Sequence, residues 1–208
     1  DVLWQELEAR FELRERGPCT EFLGIQVESS VEGEFSVVRL HMQEYVESTV
    51  KAYAELFPDG PPAHPASTPI SDELRSLGEL PPDKAPRNVL RMIGRLLWIA
   101  RCLRPDVAHA CSRLGSLVAR WNSDCQAQLA RTVGYMRQSA GMRLEMKRHS
   151  EDRDADVRTE LHSDANWAAP RSQSGFVLLC KSSRGSRGSL DWGSVKQSLS
   201  ADSSGASE

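Results

Sequence analysis

Apolar positions recur at helical spacing near the start of the chain, alternate through a short stretch, return to helical spacing, and end in strand-like runs. Leu3, Trp4, Leu7 and Phe11 fall near a 3.6-residue repeat, which predicts an amphipathic helix over Asp1–Arg16 stopped by Gly17-Pro18. Phe22–Val27 (FLGIQV) and Phe35–His41 (FSVVRLH) read as two strands. The polar turn between them holds Glu32-Gly33, so a β-hairpin is expected. Gln43–Phe57 then places Val46, Val50, Tyr53 and Phe57 on one helical face.

The pattern breaks after Phe57. Eight of the eleven prolines lie between Pro58 and Pro86. Proline fixes φ and removes a backbone donor, so this stretch reads as an extended connector between two subdomains. Beyond it, Val89, Met92, Ile93, Leu96, Leu97 and Ala100 form an apolar helical stripe, with Arg87, Arg91 and Arg95 opposite. Arg104-Pro105-Asp106 ends that helix and starts another, which buries Val107, Ala110, Cys111, Leu114, Leu117 and Val118. A third helix is expected from a cap at Ser123 or Asp124 to a stop at Gly141. After the charged turn Glu151–Asp156 come three predicted strands: Val157–Ser163, Gly175–Lys181 and Leu190–Val195. Gly-, Ser- and Arg-rich turns between them suggest an antiparallel meander. Ser203–Glu208 reads as the first turn of a helix.

Composition narrows the class. At 208 residues and 39% apolar, the chain is large enough to bury a core and is expected to form one or two domains. It has no run of about 18 apolar residues and no basic-then-apolar leader, which argues against a membrane span and a secretory signal. Cys19, Cys102, Cys111, Cys125 and Cys180 are odd in number and contain no C-x-x-C, so reduced thiols in a cytoplasmic or nuclear setting are expected. The start on Asp1 without Met and the stop on Glu208 in a Ser/Gly-rich stretch read as cuts in a larger polypeptide.

Charge changes the picture further. The net of −3 divides into −10 over residues 1–85, +9 over 86–148 and −2 over 149–208. Eleven of the twelve basic residues in the central block are arginines. Such a block is either a footprint for phosphates or a solvated helical face paired with the acidic first third. Charge alone leaves both open.

Eight short motifs in order carry more information. They are FLGIQV at Phe22–Val27, STP at Ser67–Pro69, IGRLLWIA at Ile93–Ala100 and RPDVA at Arg104–Ala108. LHSDANWA at Leu161–Ala168, SQSGFV at Ser172–Val177, WGSVKQ at Trp192–Gln197 and SSGASE at Ser203–Glu208 follow. This succession resembles, along almost the whole chain, the Pol polyprotein of Ty1/copia-type retrotransposons. Members of that family read approximately FLGIEV, TP, IGSLLYLA, RPDIAFAV, YSDADWAG, STSGYVF, WSSKKQ and SSTEAEY. The matching segment runs from the end of the reverse transcriptase palm, through thumb and connection, into ribonuclease H.

The resemblance implies an α+β fold: a β-hairpin with helices, a helical thumb/connection, and a truncated ribonuclease H-like antiparallel sheet. It implies a palm end with a primer-grip-like hairpin over 1–57, a connector over 58–86, a thumb/connection over 87–148 and the opening of ribonuclease H over 149–208. In the hairpin, Gly24 would let backbone approach a nucleic-acid strand, since no Cβ intervenes. Arg91, Arg95 and Arg104 would meet the phosphates of an RNA–DNA hybrid. Asp164 falls on the family's first metal-binding aspartate, and Glu208 on the second glutamate of SSTEAE. Those carboxylates would serve in catalysis as ligands of Mg²⁺, a hard ion suited to oxygen donors.

Departures from the family pattern limit what can be carried over. The paired aspartates of a Y-x-D-D-type polymerase motif are absent, as are the later ribonuclease H aspartates. Asn166 replaces the second aspartate of YSDADWAG, and Ala206 replaces a glutamate of the tail. The expected function is therefore that of a Pol fragment whose ancestral role is RNA-directed DNA synthesis with degradation of the hybrid's RNA strand. The isolated chain is expected to be inactive, with weak or absent Mg²⁺ binding. Its expected partners are an RNA–DNA hybrid or DNA/RNA backbone and the rest of the polyprotein. The alternative is a non-catalytic nucleic-acid-binding module or a decayed retroelement remnant.

Overall fold

The computed structural model describes residues 2–12, 18–71, 88–166 and 172–197. The first helix, α1, spans Val2–Glu8, shorter than the amphipathic pattern suggested, and Phe11 beyond it is 62% exposed. The strand expected over Phe22–Val27 is in fact two strands. β1 (Glu21–Phe22) turns at Leu23-Gly24 into β2 (Ile25–Glu32). Both turn residues have positive φ, 52° and 78°, the backbone of a two-residue turn that matches the twist of the paired strands. β3 (Phe35–His41) pairs antiparallel with β2 as expected, with Glu32 opposite Phe35 across the turn.

Four helices follow, and their shared faces make the main core. α2 is Gln43–Leu56, α3 is Val89–Cys102, α4 is Ala108–Ser116 and α5 is Ser123–Gln138. Met92, Leu96, Ile99, Val107, Leu114, Trp121, Leu129, Val133 and Met136 are buried together. Within α3 the buried stripe departs from the expected one. Ile99 is fully buried while Leu97 is 44% exposed, because at 3.6 residues per turn Ile99 lies nearer the stripe's centre. The cap of α5 is Asn122, one residue before the expected positions. Its side chain accepts from the Cys125 N–H at 2.9 Å, and the helix ends at Gln138, short of Gly141.

The described part of the proline-rich connector is laid across these helices and bonded to them. The Tyr53 hydroxyl donates to the Pro61 carbonyl at 2.6 Å. The Pro69 carbonyl accepts from Gln128 Nε2 at 2.7 Å and from the Thr132 hydroxyl at 3.0 Å. Gln128 and Thr132 are fully buried, so these contacts satisfy polar groups that water cannot reach. The STP motif is thus the point where the connector clips to α5.

The larger correction concerns Leu144–His149, of which the expected thumb/connection of 87–148 takes in all but His149. It forms a strand, β4. β4 pairs antiparallel with β3 along six residues and touches β7 (Arg187–Lys196) at Lys147–Arg187. With β5 (Arg158–Asn166) and β6 (Gln173–Lys181), the strands form one antiparallel sheet in the order β1-β2-β3-β4-β7-β6-β5. The hairpin and the meander, placed in separate domains by the sequence, are therefore two wings of one sheet, and a boundary at 148/149 cuts through β4.

Ion pairs line the β2–β3–β4 wing. Arg39 reaches Glu32 at 2.6 Å and Glu145 at 2.9 Å, and Arg143 reaches Glu28 at 3.2 Å. Part of the acidic first third is thus paired with the basic block. All five cysteines are unpaired. Cys111 and Cys125 are buried, and burial pushes the Cys111 thiol up to about 12. No described helix is long and apolar enough to cross a membrane.

Candidate functional site: a cleft between helix and meander

The meander β5–β6–β7 presents one face towards α3 and α4. Trp192 of β7 anchors it, its indole N–H donating to the Ala100 carbonyl of α3 at 2.7 Å. In the next cross-strand row on that face, Asp164 of β5 lies opposite Gly175 of β6, which lies opposite Ser194 of β7. A glycine in the middle of the row leaves a trough between the carboxylate and the hydroxyl. Asp164 lies inside the strand, which extends three residues beyond the Ser163 end expected from the sequence.

The trough opens into a cleft of about 600 Å³, the larger of the two described in this region. Pro105, Ala108 and His109 form its helical wall. His162, Ser163, Asp164, Asn166, Gln173 and Ser194 supply its polar groups, with Val177 and Trp192 between them. The two walls are bonded to each other. Gln173 Nε2 donates to Ser112 of α4 at 3.2 Å and to Ser194 at 2.9 Å, and His109 Nδ1 lies 3.4 Å from the Ser194 hydroxyl. Burial, helped by the nearby Arg113 charge, holds the His109 imidazole below its ordinary range and so favours its neutral form. His162 Nε2 lies 3.4 Å from Glu160, whose carboxyl the Lys181 ammonium holds low through a hydrogen bond.

Asp164 is exposed, and one of its oxygens accepts the N–H of the next residue, Ala165, at 2.9 Å. Its expected metal partner, Glu208, lies outside the described residues. Among the described residues, no group of three or more His, Cys, Asp or Glu side chains is placed to hold a metal ion. The described donors alone therefore do not make a two-ion Mg²⁺ site.

The remaining sequence-predicted residues lie elsewhere. Gly24 is the second residue of the β1–β2 turn, and a Cβ there would meet open space, so its backbone conformation is what requires glycine. Arg91 is exposed on α3. One turn on, Arg95 donates to Thr49 at 3.1 Å and Ser48 at 2.6 Å, with its guanidinium 4.8 Å above the Tyr45 ring. Arg104 is corrected to a structural role. It is 4% exposed, bidentate on Asp106, and bonded to the Ser139 carbonyl and hydroxyl at 3.0 and 2.6 Å. A buried guanidinium with its donors spent inside the fold does not reach a phosphate.

His109, Gln173 and Ser194 were not singled out from the sequence. A signal existed for the helical wall: Pro105, in the short 3-10 turn Pro105–Val107 that leads into α4, and His109 and Ser112 of α4 fall on the side opposite Val107, Ala110, Cys111 and Leu114. The contribution of β6 and β7 depends on strand register, which no local pattern specifies. No family model, curated protein or solved structure matches this chain.

Proposed function

We propose that this chain is a nucleic-acid-binding segment of a copia-type retroelement polyprotein, combining thumb/connection-like helices with the opening strands of a ribonuclease H-like sheet. The observation that carries the reading is the place of Asp164. The aspartate that the motif order singles out lies on the first strand of an antiparallel meander, at a cleft whose other wall comes from the Arg-rich helical block. Arg91 and Arg95 supply exposed or hydroxyl-braced positive charge on α3 for phosphate contacts. With Asp164 as the sole carboxylate among the described cleft-lining residues, the described part of the chain binds a hybrid rather than cleaving it.

The test is binding of an RNA–DNA hybrid across a salt series, by fluorescence anisotropy. Affinity should fall with salt, and Arg91→Glu with Arg95→Glu should weaken it and flatten the log–log salt slope by about one per arginine removed. Binding that is unchanged in the double variant, or indifferent to salt, overturns the proposal. Cleavage of the RNA strand in Mg²⁺ that survives Asp164→Asn would remove Asp164 from the site.

A further inference from the structure

Among the described residues, the lining of the cleft between α4 and the meander holds no lysine or arginine. That is unexpected beside a basic block of net +9. The cleft's one formal charge among these described lining residues is the Asp164 carboxylate, which repels a phosphate in the absence of a cation. Its other polar groups are hydroxyls, amides and imidazoles: Ser163, Ser194, Asn166, Gln173, His109 and His162. Between them lie the apolar surfaces of Pro105, Ala108, Val177 and Trp192. Its volume falls within the range of about 300–1,000 Å³ common for small-molecule sites.

We infer that this cleft is a nucleoside subsite: it takes the base and sugar of one nucleic-acid residue and leaves the phosphates outside. The inference rests on the nucleic-acid reading above for the class of ligand, and on the lining for the part of the ligand that enters. Apolar patches interleaved with neutral donors and acceptors match a flat heterocycle carrying hydroxyls. Among the described lining residues an anionic group would meet the Asp164 carboxylate and no lysine or arginine. The walls are also preorganised, since Gln173 already ties β6 to Ser112 of α4 and to Ser194 of β7. Less ordering is then lost when a ligand enters. His109 is the reader on the helical wall. Its lowered proton affinity keeps it neutral at pH 7, so it can donate from one ring nitrogen and accept at the other.

The experiment is a titration of the whole chain with adenosine, cytidine and their 5′-monophosphates in EDTA, followed through the His109 and His162 imidazole NMR signals. Saturable shifts of both signals are expected with at least one nucleoside. Its monophosphate should bind at least tenfold more weakly, and Asp164→Asn should narrow that gap. His109→Ala, a change at a position on the cleft wall, should cost at least fivefold in nucleoside affinity with an unaltered near-ultraviolet circular dichroism spectrum. Monophosphate binding as tight as nucleoside binding in EDTA overturns the inference, as does nucleoside binding indifferent to His109→Ala, or no shift with either nucleoside. Nucleoside binding that persists while hybrid binding ignores Arg91 and Arg95 would instead sink the hybrid-binding proposal and leave the subsite standing.

Discussion

Arg104 closes onto Asp106 across the break between α3 and α4, with Nε 2.9 Å and a terminal nitrogen 2.7 Å from the carboxylate. The other terminal nitrogen reaches the Ser139 carbonyl just beyond α5, and the Tyr135 hydroxyl donates to Asp106 at 2.7 Å. One ion pair, with its guanidinium buried and its carboxylate partly so, therefore ties together the end of α3, the start of α4 and the end of α5. Removing one partner leaves a buried charge without compensation. Asp106→Ala should destabilise the fold by about 3–5 kcal/mol in urea denaturation. A loss below about 1 kcal/mol would mean that water reaches the guanidinium.

The same pair predicts an acid response. Burial opposes the Asp106 charge, but hydrogen bonds from Arg104 and Tyr135 outweigh it and hold the carboxyl below its usual value of 3.8. Glu32, bonded to Arg39 and Ser30, is lowered from 4.5 to about 2. A depressed carboxyl gives its full stabilisation above the unfolded value and loses it as pH falls through the folded one. The contribution of these groups should thus be full at pH 6–8, decline below about pH 4.5 and be largely gone near pH 2. Asp106→Asn should flatten the decline measured by urea midpoints between pH 5 and 2, and an unchanged slope would remove Asp106 from it.

Gly134 sits where the connector crosses α5, and a Cβ there would overlap the His64 carbonyl oxygen. That obstacle is backbone, so rotating a side chain does not relieve it. Although alanine favours helix over glycine by about 1 kcal/mol, Gly134→Ala should destabilise, because the connector must lift and leave Gln128 and Thr132 without Pro69. A net loss of about 2 kcal/mol is expected, with faster proteolysis between residues 58 and 71. A stabilised variant would mean that the connector leaves this track at little cost.

Much of this organisation was legible before the structure. The core faces of α3 and α4 follow from the spacing of Val89, Met92 and Leu96 and of Val107, Cys111 and Leu114, because burial acts on a local repeat. The meander was legible in the same way, but its first strand was expected to end at Ser163, short of Asp164, which lies inside it. β4 was not. Leu144-Glu145-Met146-Lys147 has good helix formers throughout, and it is a strand because β3 offers it an edge and Glu145 meets Arg39 there. Arg104 looked like a phosphate ligand because a motif shows the residue but not its burial. The cleft was hidden for a third reason: its walls lie some fifty residues apart in sequence and meet only through sheet register.

Gly175 offers a way to close the cleft without harming the sheet. A Cβ at this position would come no closer than 4.0 Å to its neighbours, the carbonyls of Asp164 and Gly193, so the strand accepts a side chain. Gly175→Val should fill the trough between Asp164 and Ser194, and its β-branch suits a strand. The variant should keep or raise its thermal midpoint while losing at least tenfold in nucleoside affinity. A lowered midpoint with affinity intact would place the ligand away from this row.

Leu23 carries the clearest conformational cost in the described chain. It is the one non-glycine residue with positive φ, 52°, and its side chain is 63% exposed beside Phe22, itself 61% exposed. A left-handed conformation costs an ordinary L-residue about 1–2 kcal/mol, and the burial of Leu23 is too slight to offset it. Asparagine is the common choice at the first position of such a turn, so Leu23→Asn should stabilise the fold by about 0.5–1 kcal/mol in urea denaturation. If the β1–β2 tip meets a nucleic-acid strand, the same substitution should weaken hybrid binding several-fold, because two apolar side chains then work as a pair on bases or sugars. Stability and affinity would move in opposite directions from one substitution. A variant that is more stable and binds equally well would show that the tip does not touch the hybrid.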